Sequence, residues 1–150
     1  KELCLSQARD KNADVFYQVA GGSGGGLFEA CKELGTWAIG VDSDQELTFS
    51  ADLAAITLTS GLKNIGNALI WFFDQWDEGN EFWGQEINLG IAEGGVGIVT
   101  DKNYDKYASD DTKAAVETAQ QAILDGTVTV PSAIGDTSGT VEALRESVRP

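Results

Sequence analysis

Apolar positions fall into two kinds of run along the chain. Short continuous runs bounded by turn residues occur at Val15 to Ala20, Trp37 to Val41 and Ala54 to Thr59, and predict buried strands. Elsewhere apolar residues recur at helical spacing. Leu3, Cys4, Gln7 and Ala8 predict a helix over Lys1 to Lys11, closed by Asn12 and Ala13. Leu27, Ala30, Cys31 and Leu34 predict a helix ended by Gly35. Ile65, Leu69, Phe72, Phe73 and Trp76 predict a long helix over Leu62 to Asp77 with one face buried. Ile87, Leu89 and Ile91 alternate like a strand, and Val96, Ile98 and Val99 resume one after the turn Glu93 to Gly95. Asp110 or Asp111 is expected to cap a helix through Leu124, stopped by Gly126, before a last strand over Thr127 to Val130. Gln45 to Ala51 reads as a loop, and no fixed-period repeat is present.

The stretch Asp14 to Gln45 organises the rest. It reads as strand, glycine-rich turn (Gly21, Gly22, Ser23, Gly24, Gly25, Gly26), helix, strand and acidic turn. A βαβ unit of this size implies a parallel sheet, and such sheets bind ligands beyond the carboxyl ends of their strands. The glycine turn and Asp42 both fall at that edge. Glycines there let a ligand approach the backbone. Asp42 and Asp44 lie two apart, but the strand ends between them, so a turn splays them and one faces the cleft. Lys63, placed in the first turn of the long helix, opposes the helix dipole, which suggests pairing with Asp42 or donation to a ligand. Phe16 and Tyr17 are neighbours in a strand and face opposite ways, so one of them offers a flat face to the cleft. Trp71, Phe72, Phe73, Trp76, Phe82 and Trp83 read as core and helix packing rather than a ligand platform.

Composition narrows the chemistry. The 150 residues carry 10 Lys and Arg against 24 Asp and Glu, a net charge of −14. That sign argues against nucleic acid and anionic headgroups as partners. There is no histidine, which removes histidine triads, histidine bases and His-ligated metal sites. Cys4 and Cys31 are too few for a disulfide framework and read as small buried hydrophobes, with a bridge or a reactive thiol as the alternatives. No apolar run is long enough for a membrane-spanning helix. Neither a catalytic constellation nor a cofactor is implied, beyond one alternative. Gly22 and Gly24 open the spacing of a dinucleotide fingerprint, with Asp42 at the distance of its ribose-binding acid; Leu27 stands where its last glycine belongs. On that alternative the chain is an NAD(P)-dependent oxidoreductase with a Rossmann-type domain.

The run ADVFYQVAGGSGGGLFEACKELGTWAIGVDSDQ, then LTSGLKN, GIAEGGVGIV, NYDKY and VPS, resembles the basic membrane protein family. These are substrate-binding lipoproteins of ABC importers, related to purine nucleoside receptors. The resemblance covers residues 1–132 and leaves 133–150 as a peripheral tail. It implies an α/β, type I periplasmic-binding-protein-like fold, a parallel sheet flanked by helices, incomplete here and mostly the second lobe. It also implies a non-enzymatic solute-binding component that closes on a nucleoside between two lobes. Its partners are the missing N-terminal half and, through the full receptor, the ABC permease and ATPase. The setting is extracytoplasmic, with a lipid anchor on the missing part. By the resemblance, Asp42 and Lys63 hold ribose hydroxyls, Gly21, Gly22, Ser23 and Gly24 line the cleft, and Tyr17 stacks on the base. A sugar-responsive regulatory module on the same fold is a further alternative, though no DNA-binding segment is visible. A lobe lacking its first strand exposes a sheet edge and apolar surface, so the chain alone is expected to need the missing segment or to self-associate.

Overall fold

The computed structural model describes residues 1–131 and 139–149. Residues 132–138 and Pro150 lie outside the described residues. Four strands form one sheet in the order β1 (Val15–Tyr17), β2 (Trp37–Asp42), β3 (Thr57–Lys63), β4 (Val96–Ile98). The first three are parallel and β4 is antiparallel to β3. The crossover from β1 to β2 is the helix α2 (Gly25–Leu34), preceded by a 3₁₀ turn over Gly21–Gly24. Gly35 ends α2 at φ 68°, donating its N–H to Cys31 O, as a left-handed glycine stop should.

Helix α1 (Glu2–Lys11) lies on α2, and both cover one face of the sheet. Asn12 closes α1 in the left-handed conformation. The core under them contains Cys4, Phe16, Leu27, Phe28, Ala30, Cys31, Ala38 and Leu53. Phe28 is fully buried and meets Phe49 edge to face, with ring centroids 4.6 Å apart. Both cysteines are buried and free. Burial pushes the Cys31 thiol up, away from the reactive thiolate. Neither thiol is expected to react with a disulfide reagent in the native protein at neutral pH, and both should react in guanidinium. Rapid labelling of native protein would mean that the α1–α2 layer opens.

Several elements differ from the sequence reading. β1 stops at Tyr17 rather than Ala20, for a reason that belongs to the site below. The loop 45–51 instead starts a pair of one-turn helices, α3 (Gln45–Thr48) and α4 (Ala51–Ala54). β3 begins three residues later than Ala54 and runs through Ser60 and Gly61 to Lys63. Pairing with β2 on one side and β4 on the other holds these poor strand formers extended. The long helix α5 is therefore Ile65–Asp77, and Lys63 is not in its first turn. The dipole argument for Lys63 falls with it.

Residues 85–90 form no strand, and neither do 127–130. Gly95 is jammed against Leu89, and its N–H goes to Gly90 O, so the segment turns back on itself rather than pairing as a strand. α6 (Lys102–Tyr107) is pinned to the sheet by Asn103, whose amide donates to Ala54 O and Thr57 O at 2.9 Å each. α7 (Asp110–Leu124) is capped by Ser109, which accepts from Thr112 N, not by Asp110 or Asp111. α8 (Thr140–Ser147) contains no buried residue.

The largest departure is α5. The sequence predicts one buried face, yet no residue of this helix is buried. Ile65, Leu69, Ile70, Phe73 and Trp76 are all exposed, as is Trp83 beyond it. The six aromatics of this region contact one another, Trp71 with Phe82 and Trp76 with Trp83, rather than the core. β1 is an edge strand, with Val15 and Tyr17 exposed.

Candidate functional site

β1, β2 and β3 deliver Tyr17, Asp42 and Lys63 to their shared carboxyl end as their last residues. An open depression of ≈ 400 Å³ there is lined by Tyr17, Asp42, Gly61, Lys63, Val96 and Gly97, among others. Lys63 Nζ lies 3.2 Å from Asp42 Oδ1. Both side chains are more than half exposed, at 58% and 56%, so the pair stabilises the fold by no more than about 1 kcal/mol. Tyr17 is on the same side as this pair, its hydroxyl close over Gly61. Phe16 is not: at 4% exposure it points to the opposite face, into the core. Alternation along the strand forces the choice, and the cleft aromatic is Tyr17 alone.

Asp42 has φ 69°, in the left-handed region that a non-glycine residue rarely adopts. Ser43 N donates to Val41 O at 2.9 Å, across Asp42. A two-residue hydrogen bond around a positive-φ residue is the rarer, strained form of γ-turn. It splays the two carboxylates. Asp44 turns away, accepts from Glu46 N as the cap of α3, and pairs with Lys102 at 2.9 Å. Asp101 and Asp44 together hold the Lys102 ammonium well above the usual lysine range.

The glycine segment is not among the residues lining the depression. Gly21 takes φ 53° to start the 3₁₀ turn. Gly24 is needed for close packing: a Cβ there would lie 2.4 Å from the buried amide of Gln18. Gly21, Gly22 and Ser23 stand beyond the end of β1, connected to the cleft floor through that amide.

Three residues absent from the sequence-based candidates lie beneath the site. Gln18, 5% exposed, accepts from Ala20 N at 2.8 Å, which ends β1 early. It donates at 3.4 Å to Gln45 Oε1, which also accepts from Val41 N at 3.1 Å. Gln45 N in turn donates to the buried Ser60 Oγ at 3.1 Å. The signal for them in the sequence is Gly40: a Cβ at that position would strike Ser60 Oγ and Gln45 Oε1. Among the described residues no group of His, Cys, Asp or Glu is placed to hold a metal ion, and no helix is long and apolar enough to cross a membrane.

A mostly parallel sheet flanked by helices is the fold of a periplasmic-binding-type lobe, and here an acid–lysine pair stands at its carboxyl edge. Its likeness to an ABC transporter solute-binding protein from Aeropyrum pernix K1 agrees, with a TM-score of 0.70 at 23% identity over 97% of this chain and 47% of that one. The family described as "ABC transporter substrate-binding protein PnrA-like" matches residues 1–143, and the chain belongs to it. The nucleoside-binding protein BmpA of Lactococcus lactis subsp. cremoris (strain MG1363) is 33% identical over 132 residues, covering 79% of this chain and 36% of that protein. Basic membrane protein A of Borreliella burgdorferi is 33% identical over 122 residues, covering 79% and 34%. The chain thus spans little more than a third of the length of these curated relatives.

Proposed function

We propose that this chain is the ribose-holding lobe of an ABC importer's nucleoside receptor, acting outside the cytoplasm and without catalysis. The observation that carries the reading is Asp42, held in a strained turn at the sheet's carboxyl edge with Lys63 at 3.2 Å. A carboxylate accepts from two vicinal hydroxyls at once, which matches a ribose. Lys63 orients that carboxylate and has donors to spare for the sugar oxygens. Tyr17 offers its exposed ring to the base, since stacking tolerates any base. A companion lobe closes over the ligand by hinge motion, and the closed form is the one that ABC permease and ATPase subunits receive. The name of the Lactococcus relative supports the nucleoside class.

The test is calorimetric titration of the complete receptor with a panel of purine and pyrimidine nucleosides, ribose and NAD. Tight binding of a nucleoside, with ribose far weaker, is the expected result. Binding of NAD alone would overturn the reading in favour of a dinucleotide site. Binding of ribose without any nucleoside would keep the sugar contacts and overturn the ligand.

A further inference from the structure

Asp42 poses an energetic question that its ion pair does not answer. A non-glycine residue in the left-handed region costs about 1–3 kcal/mol and persists only where its surroundings over-determine it. An exposed ion pair contributes about 0–1 kcal/mol and is too weak to hold it. The restraint lies in the backbone on either side. Val41 O accepts from Ser43 N, and Val41 N donates to Gln45 Oε1.

The second of these bonds replaces a missing strand. Trp37 N donates towards β1, to Asp14 O, while Ala38 N donates towards β3, to Ile56 O. Alternation along β2 puts Val41 N on the β1 side. β1 has ended by then, its last pair being Tyr17 with Ile39. The Gln45 side chain occupies the place where a strand carbonyl would be. Its own backbone N–H is tied to Ser60 Oγ of β3, and its Oε1 also takes the Gln18 amide. Gln18 carries the connection on to Ala20 N, at the start of the glycine turn. One residue therefore joins all three parallel strands, β2 and the segment after β1 through its side chain and β3 through its backbone N–H.

We infer that Gln45 is the positioning residue of the binding site. It clamps Val41 so that Asp42 is held in its strained turn facing Lys63, and through Gln18 it fixes the glycine turn in the same register. The inference rests on the nucleoside-receptor reading for its ligand, but the clamp itself is readable without one.

The test compares Gln45→Ala and Gln45→Glu in the complete receptor. Only the acceptor Oε1 takes part in the clamp, so glutamate preserves it and alanine removes it. Gln45→Ala is expected to weaken nucleoside binding by about tenfold or more, the worth of one well-placed hydrogen bond, with Gln45→Glu restoring most of it. The Val41 amide should lose its hydrogen-exchange protection in the alanine variant and regain it in the glutamate variant, while amides in β2 nearer Trp37 stay protected. Should Gln45→Ala not fold, Ser60→Ala removes the anchor of Gln45 N and is expected to produce a smaller loss in the same direction. Unchanged affinity with an unchanged Val41 amide would overturn the proposal, as would a glutamate variant no better than alanine. If the wild type binds no nucleoside, the receptor reading fails, and Val41 exchange in the two variants still decides for or against the clamp.

Discussion

Replacing Asp42 by glycine is expected to abolish nucleoside binding and to raise the melting temperature in the same variant. Two costs and one gain set the sign. Glycine removes a strain of about 1–3 kcal/mol at φ 69°. It adds back a backbone entropy cost of about 0.5–1 kcal/mol. The lost pair with Lys63 is exposed on both sides and worth about 0–1 kcal/mol. The balance favours the folded variant by about 1 kcal/mol, a rise of a few degrees measurable by scanning calorimetry. Binding loses the charged acceptor for two hydroxyls, each hydrogen bond contributing about 1.5–3 kcal/mol, so affinity drops by at least about 100-fold. Asp42→Asn separates the two effects. Asparagine tolerates the left-handed region as aspartate does, so its stability should stay near wild type while binding still falls for want of the charge. A glycine variant that melts lower than wild type would show that Asp42 is not strained, and one that binds as tightly would show that it is not a ligand group.

Much of this site is legible in the sequence, though not always for the right reason. The βαβ unit announces itself because its two strands are continuous apolar runs, although only one face of β1 is covered among the described residues, and because a glycine-rich turn and a stop at Gly35 bracket the helix. Asp42 follows from topology alone, as the residue at the carboxyl end of the second strand. Lys63 stands out in the sequence through a helix dipole, but it belongs to a strand. The residues SGLK have poor strand propensity and become extended only because β2 and β4 pair with them, which no local pattern records. Gln18 and Gln45 escape notice because Gln18 falls inside the run read as the first strand and Gln45 opens what reads as a loop, both near the strands' carboxyl end. Both in fact replace main-chain partners at that end, and the only trace in the sequence is the small residue opposite each, Gly24 and Gly40. Phe16 and Tyr17 can be assigned to opposite faces but not to a particular face, since the strand's two sides differ only by what packs on them.

Light scattering of this chain on its own is expected to show concentration-dependent self-association through α5, strengthened by salt. Ile65, Leu69, Ile70, Phe73, Trp76 and Trp83 are each more than two-fifths exposed. Together they form an apolar surface on the order of several hundred Å², beyond what single surface hydrophobes account for. At about 25 cal/mol per Å², covering about 400 Å² is worth about 10 kcal/mol, while association costs roughly 4–15 kcal/mol. The two are comparable, so the chain should shift between monomer and larger species with concentration rather than form an obligate oligomer. Charge decides the salt dependence. The net charge is −14, and residues 64–101 contain no Lys or Arg, so copies meeting at α5 repel each other. Salt screens that repulsion within about 10 Å at 0.1 M and leaves the apolar contact intact, so association tightens as salt rises. The pair Leu69→Glu and Phe73→Glu should keep the chain monomeric at little cost in stability, because neither side chain is buried. In the complete receptor the same pair should be strongly destabilising, since there the face is expected to be covered and two carboxylates would lose their water. A chain that stays a compact monomer at every concentration and salt would show that α5 needs no cover. Equal tolerance of the double variant in both settings would show that the companion part of the receptor does not supply one.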